Sequence, residues 1–245
     1  MKFPDPLMLS SRAVRDTVIF AGSQLPGTQK PQKDYFINFS DECFVVADGV
    51  SDIHGEAAAK LAADTAIWGY KHVRQRPFYW ADKRRLLKRI FRSSNLTLWQ
   101  KRKEQGFENG IATTLSVVIV SINKIWVGSV GNTGVFLYRE SLIDELTPSD
   151  IDEKGRLTNM LGVKRLGLVP HLAVESFLPG DIVVMATSGV ADFVGEDHLR
   201  ATLETAGDTP ESMSNAVINL FRCAEENGSE DNMTVCMIKR IHTEE

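Results

Sequence analysis

Asp48 and Asp231 are the residues whose type and placement point most directly to chemistry. Phe44-Val45-Val46-Ala47 is an apolar run of strand type that leads straight into Asp48-Gly49. Such a run reads as a strand buried on both faces. It delivers Asp48 to the strand's end, where the chain must turn, and a carboxylate there is costly to bury unless something pairs with it. Asp231-Asn232-Met233-Thr234-Val235 puts a second acid at the opening of another apolar strand. Two strand-end aspartates far apart in sequence can converge on one cation. Taken singly, each is better explained by a turn, because Asp-Gly and Asp-Asn pairs often cap one.

The elements that must position these acids read as follows. Residues 1–15 form a loosely tied leader, 17–21 a first short strand, and 22–32, rich in Gly, Pro, Ser and Gln, a loop. A strand begins at Lys33-Asp34-Tyr35-Phe36-Ile37. Residues 55–70 have helical spacing, with Ala58, Leu61, Ala62, Thr65 and Trp68 on one face. Pro77 separates this helix from a second over about 81–105, striped by Leu87, Ile90, Phe91, Ser94 and Leu98. From Thr113 the period changes to that of strands: 113–122, 124–130, 135–139 and 142–146 read as an antiparallel meander interrupted at Val130-Gly131-Asn132-Thr133-Gly134. Residues 150–168 are irregular, with helical hints around 157–161 and the character of a substrate-facing flap. A second buried strand, 182–186, follows the Pro179-Gly180-Asp181 turn. Helices are expected near 196–205 and from Thr209-Pro210-Glu211, where Thr caps and Pro takes the first helical position. Met213, Val217, Leu220, Phe221 and Ala224 make the last helix's buried face, Gly228 stops it, and a strand over 233–241 closes the chain. Helices grouped between runs of strands argue α+β layers rather than alternating βα units.

Composition excludes several function classes. The 245 residues have 43% apolar and 24% charged content and a net charge of −4, an ordinary globular composition with no global attraction to nucleic acid or anionic membrane. No run is long and apolar enough to span a membrane. Cys43, Cys223 and Cys236 are scattered and form no CxxC pair, which excludes a zinc knuckle or disulfide framework and fits a reducing cytoplasm. Nine of the 28 basic residues fall between Lys83 and Lys103. Such a helix can steer an acidic or phosphorylated partner, although a solvated outer face is the more ordinary explanation. The acidic remainder of the chain and the lack of an interleaved aromatic row argue against nucleic acid.

Seven short motifs occur in one order: Ala47-Asp48-Gly49, Gly110-Ile111-Ala112-Thr113-Thr114-Leu115, Val130-Gly131-Asn132-Thr133-Gly134, Leu146-Thr147-Pro148-Ser149-Asp150, Pro179-Gly180-Asp181, Ala186-Thr187-Ser188-Gly189-Val190-Ala191-Asp192 and Asp231-Asn232-Met233-Thr234-Val235. Together they resemble the metal-dependent (type 2C, PPM) protein serine/threonine phosphatases over about residues 21–241, as an atypical, bacterial-like member. The resemblance implies a single domain over 1–245, an α+β fold with a four-layer α-β-β-α sandwich of two mostly antiparallel sheets flanked by helix pairs, and hydrolysis of phosphoserine or phosphothreonine proteins by a metal-activated water. It assigns Mn²⁺ or Mg²⁺ to a two-metal site: Asp48 bridging, Gly49 offering its carbonyl, Asp231 binding one metal and Asp34 orienting water.

Departures from the family pattern fall at the same site. Asn132 and Ser188 stand where the family has acids that together hold a third metal, which implies that the third site is absent. Asp192 is kept and is an auxiliary candidate. Lys33 and Lys30 stand near the family's phosphate-gripping Arg, as point charges without its fork. Asp52 and His54 occupy a connection that is usually small or Gly. His54 can serve as a general acid, though a lone loop histidine is more often a surface residue. The alternative function is a pseudophosphatase that binds a phosphoprotein or another partner without turnover, because Asn132 and Ser188 replace metal-ligand acids.

Overall fold

The computed structural model describes residues 15–28, 31–50, 54–75, 82–108 and 110–243. The expected leader therefore lies outside the described residues up to position 14, and so do Lys30 and Asp52. In chain order the elements are β1 (Arg15–Leu25), β2 (Asp34–Phe39), β3 (Cys43–Asp48), α1 (Gly55–Arg74), α2 (Lys83–Lys101), β4 (Leu115–Val120), β5 (Lys124–Val130), β6 (Gly134–Arg139), β7 (Leu142–Glu145), β8 (His171–Ser176), β9 (Ile182–Ala186), α3 (Ser188–Ala191), α4 (Glu196–Glu204), α5 (Pro210–Glu226) and β10 (Met233–Thr243).

The strands form two five-stranded antiparallel sheets, ordered β1-β10-β9-β6-β7 and β2-β3-β4-β5-β8. Their inner faces meet on an apolar layer that takes Phe44, Val46, Val118 and Val127 from the second sheet and Val135, Val183, Met185 and Ile238 from the first. The helices α1 and α2 cover the outside of the second sheet, and α4 and α5 cover the first. The expected α-β-β-α layering is therefore observed. It explains why β3, β4 and β9 read as continuous apolar runs: both faces of each are buried.

Local chemistry accounts for the helix bounds. Thr209 accepts from Ser212 N, and the Ser212 side chain reciprocates, with Pro210 opening α5. Gly228 ends that run at φ +89. An alanine face on α1 (Ala58, Ala59, Ala62, Ala63, Ala66) is wholly buried and lets α2 approach closely enough for Ser94 Oγ to donate to Ala62 O at 3.0 Å. Trp68 does not join that face; it is 66% exposed and stacks on His72. The true stripe turns toward the alanines, which leave the least gap against the sheet.

Other expectations shift as well. β1 continues through Gly22 to Leu25 instead of ending at Ala21, because the whole stretch pairs with β10 from Arg15↔Thr243 to Leu25↔Met233. Gly22 suits that strand: a Cβ there would lie 2.3 Å from the Phe36 ring. The meander is not one sheet. β4 pairs with β5 and β6 with β7, but β5 and β6 belong to different sheets, and the chain crosses between them at 131–133. Residues 157–161 form no helix; Leu157 and Leu161 make single bridges to Ile151 and Thr113. β8 was not anticipated, and it is the edge strand beside β5.

Candidate metal and phosphoryl site

The β2–β3 hairpin places Asp34 directly opposite Asp48, at the end remote from its turn. Like charges facing each other across a ladder are unfavourable unless other groups compensate. The compensation comes from the other sheet. Thr187, just after β9, and Thr234, in β10, each donate a hydroxyl to Asp34 Oδ2 at 2.8 Å. Ser188 Oγ donates to Asp48 Oδ2 at 3.1 Å. The backbone of Asp48 is fixed by the paired threonines at the start of β4. Its N–H donates to Thr114 Oγ1 at 3.0 Å, and its carbonyl accepts from Thr113 Oγ1 at 2.7 Å and Thr114 N at 2.9 Å.

Asp231 stands at the mouth of β10, exposed to solvent, with Oδ1 accepting from Asn232 N at 2.9 Å. Asp231 is also close enough to raise the proton affinity of both Asp48 and Asp34. Burial pushes the Asp34 carboxyl up to about 8, reinforced by Asp48 and opposed by the two threonine hydroxyls. Burial likewise raises Asp48, against the Ser188 hydrogen bond and the nearby Lys33 charge.

The auxiliary candidates distribute around this rim. Lys33 is half-buried; its N–H donates to Asn232 Oδ1 at 2.7 Å and its carbonyl accepts from Gly49 N at 3.2 Å, tying the approach to β2 to both aspartate loops. Gly49 packs against Gly55 so tightly that a Cβ would lie 2.2 Å from the Gly55 carbonyl oxygen, which sets the start of α1 beside the rim. Ser188, Asp192 and Asp231 line one cavity of about 320 Å³ together with Glu230. Burial raises the Asp192 carboxyl. Asn132 follows Gly131 at the crossing between sheets, and its Oδ1 is buried without a hydrogen-bond partner. His54 precedes α1, with its ring 4.5 Å from that of Phe107.

Asp34 and Asp48, both buried, and Asp231, whose charge reaches both, offer hard carboxylate oxygens at one rim. Among the described residues, no group of three or more His, Cys, Asp or Glu side chains is arranged to hold an ion by itself. Carboxylate oxygens of this kind suit a hard divalent cation.

No family model matches the chain. A probable protein phosphatase 2C of Oryza sativa is 22% identical over 156 residues, which is 63% of this chain and 46% of that protein, so the match spans less than half of the curated relative. The Staphylococcus aureus serine/threonine phosphatase Stp1 superposes with a TM-score of 0.80 at 16% identity, over 91% of this chain and 95% of that one. The catalytic domain of the serine/threonine protein phosphatase PstP, solved with two manganese ions, gives 0.74 at 20% identity, over 92% and 99%. The chain has the PPM phosphatase fold.

Within that PPM framework, the motif residues without an assigned role turn out to be the rim's hydroxyl lining: Thr113, Thr114, Thr187 and Thr234. Their membership of the ordered motifs was the available signal, and only Thr234 shares a motif with one of the two aspartates. Gly131 supports them from behind. Its φ is +102, and a Cβ would lie 2.5 Å from Thr114 Cγ2. Thr114 Oγ1 also shares a 2.9 Å hydrogen bond with Thr133. Gly131→Ala is expected to cost about 3 kcal/mol from the left-handed backbone and the overlap together. Urea unfolding measures this, and an unchanged midpoint would refute it.

Proposed function

We propose that this chain is a metal-dependent phosphoprotein phosphatase acting on phosphoserine or phosphothreonine. The observation carrying this reading is that Asp34 and Asp48, from one sheet, meet the field of Asp231, from the other, at a single rim. Asp48 and Asp231 would hold Mn²⁺ or Mg²⁺ with the Gly49 carbonyl. When bound, such ions supply an activated water and compensate charge on the phosphoryl oxygens. Asp34, whose Oδ2 accepts from the Thr187 and Thr234 hydroxyls, would orient metal-bound water beside Asp48. Lys33 brings a point charge toward the phosphate. Asp192 and Asn132 border the rim as weaker oxygen donors, and the third metal site is dispensed with. Residues 1–245 act as one domain.

A second reading is favoured by one specific contact. Ser188, where the family resemblance expects an acid, donates its hydroxyl to Asp48 and adds no charge for a cation. A protein so built would bind a phosphoprotein without hydrolysing it. Hydrolysis of a phosphoserine peptide and of p-nitrophenyl phosphate, with Mn²⁺ binding followed by calorimetry, decides between the two. We expect turnover that rises with Mn²⁺ and disappears in EDTA. Phosphopeptide binding with no turnover at millimolar Mn²⁺ would establish the second reading. Cys43, Cys223 and Cys236 are free and buried, consistent with a cytoplasmic protein. Among the described residues no helix is long and apolar enough to cross a membrane.

A further inference from the structure

Helix α2 carries seven basic residues and no acid over Lys83–Lys101. The segment 161–170 lies against it, also without an acid, and adds Lys164 and Arg165. Asn95, almost wholly buried in α2, pins that segment: its amide nitrogen donates to Lys164 O at 2.9 Å, and its Oδ1 accepts from Gly162 N at 2.9 Å. Gly162 has φ +88, and a Cβ would lie 2.2 Å from Ile111 O, so the segment's path is built rather than incidental. Between helix and segment is a cavity of about 360 Å³. Its floor is apolar, with Phe91, Leu168 and Pro170, and its rim carries Lys88, Arg92 and Arg165. Leu166 and Val169, at 66% and 72% exposure, stand beside it.

We infer that this groove docks an acidic, amphipathic segment of the phosphoprotein substrate, at a distance along the chain from the phosphorylated residue. The role of the occupant as substrate rests on the phosphatase reading; the docking itself does not. Charge complementarity selects the occupant: Lys88, Arg92 and Arg165 have no salt bridge among the described residues, so their charge is available. The exposed leucine and valine call for apolar side chains interleaved with the acids. A nucleic acid would want open aromatic faces, but the Trp99 ring is already taken by Lys103, 3.7 Å from its centroid, and Arg165, at 5.3 Å. The groove also communicates with the rim. Leu161, just before the pinned segment, bridges Thr113, whose hydroxyl holds the Asp48 carbonyl.

The test uses a short fluorescein-labelled peptide of interleaved Glu and Leu residues, without phosphate, and fluorescence anisotropy on the full chain in EDTA. We expect binding that weakens with salt, is absent for the Lys-for-Glu peptide, and drops at least about tenfold in Lys88→Glu/Arg92→Glu. These residues are exposed, so unfolding midpoints should not move. Leu166→Ser should weaken binding severalfold without changing its salt slope. On a phosphopeptide carrying the acidic flank, the double variant should raise KM and leave kcat and p-nitrophenyl phosphate turnover unchanged. Equal binding of the acidic and basic peptides, or an unaffected double variant, overturns the proposal. So does a tighter, variant-sensitive affinity for single-stranded RNA or phosphatidylserine vesicles than for the peptide. Peptide binding in EDTA with no phosphatase activity would remove the substrate role and keep the docking surface, which separates the two failures.

Discussion

Asp48→Ala is expected to lower Mn²⁺-dependent turnover by well over 100-fold and to abolish the calorimetric signal of Mn²⁺ binding. Even groups that only support a metal's ligands cost about 10–100-fold when removed, and Asp48 is assigned as a ligand itself. Stability should respond differently. The Asp48 carboxyl is buried, and burial raises its proton affinity, so its charged form opposes folding of the metal-free protein. Its removal leaves Ser188 and Asp34 without one partner but relieves repulsion from Asp231. The thermal midpoint without metal should therefore stay within a few degrees or rise. Asp231→Ala should reproduce the loss of turnover with less effect on the midpoint, because that side chain is exposed. Retention of Mn²⁺ binding in both variants would refute the assignment of the rim.

Ser188→Asp should have the opposite effect. A carboxylate in place of the hydroxyl that now donates to Asp48 at 3.1 Å restores a third charge at the rim. Mn²⁺ affinity should rise about 10–100-fold, the reverse of a ligand-support loss. With Mn²⁺ well above the dissociation constants of both proteins this converts to about 1.4–2.7 kcal/mol of added stability. Without metal the sign reverses: a further anion beside Asp48 and Asp231 should lower the midpoint. That crossing of sign between the two conditions is the diagnostic result. If turnover rises with affinity, metal occupancy limits the natural chain. An unchanged Mn²⁺ affinity would show that residue 188 does not face the ion.

The aspartates were legible only in combination, because each alone reads as a turn residue while the ordered motifs and the apolar runs, imprinted by burial on both faces, set them at strand ends. The last helix was legible for a similar reason: Thr209, Pro210 and Gly228 each act locally. The hydroxyl lining was not, because nothing near Thr187 or Thr234 in the chain predicts a bond to Asp34; those contacts exist only after the two sheets pack. β8 escaped notice because His171 and Glu175 keep it half-exposed at a sheet edge, and its ladder with β5 rather than its own pattern defines it. Gly22 through Leu25 looked like a loop for the same reason. Polar, glycine-containing sequence becomes strand when a long antiparallel partner is available. Trp68 was misplaced because apolar spacing cannot tell a helix face that packs closely from one that merely carries a large ring.

The long ladder between the first and last strands also fixes when the rim can exist. Asp34 is held by a hydroxyl 200 residues downstream, and Leu25 pairs with Met233. Contacts of such separation form late, after the entropy of closing the intervening chain has been overcome. During synthesis, the helical layer of α1 and α2 can dock on its own sheet well before the final strand leaves the ribosome. The nascent protein therefore passes through a stage that is half built and chemically silent. A chain that loses its C-terminal strand to a protease returns to that silent stage.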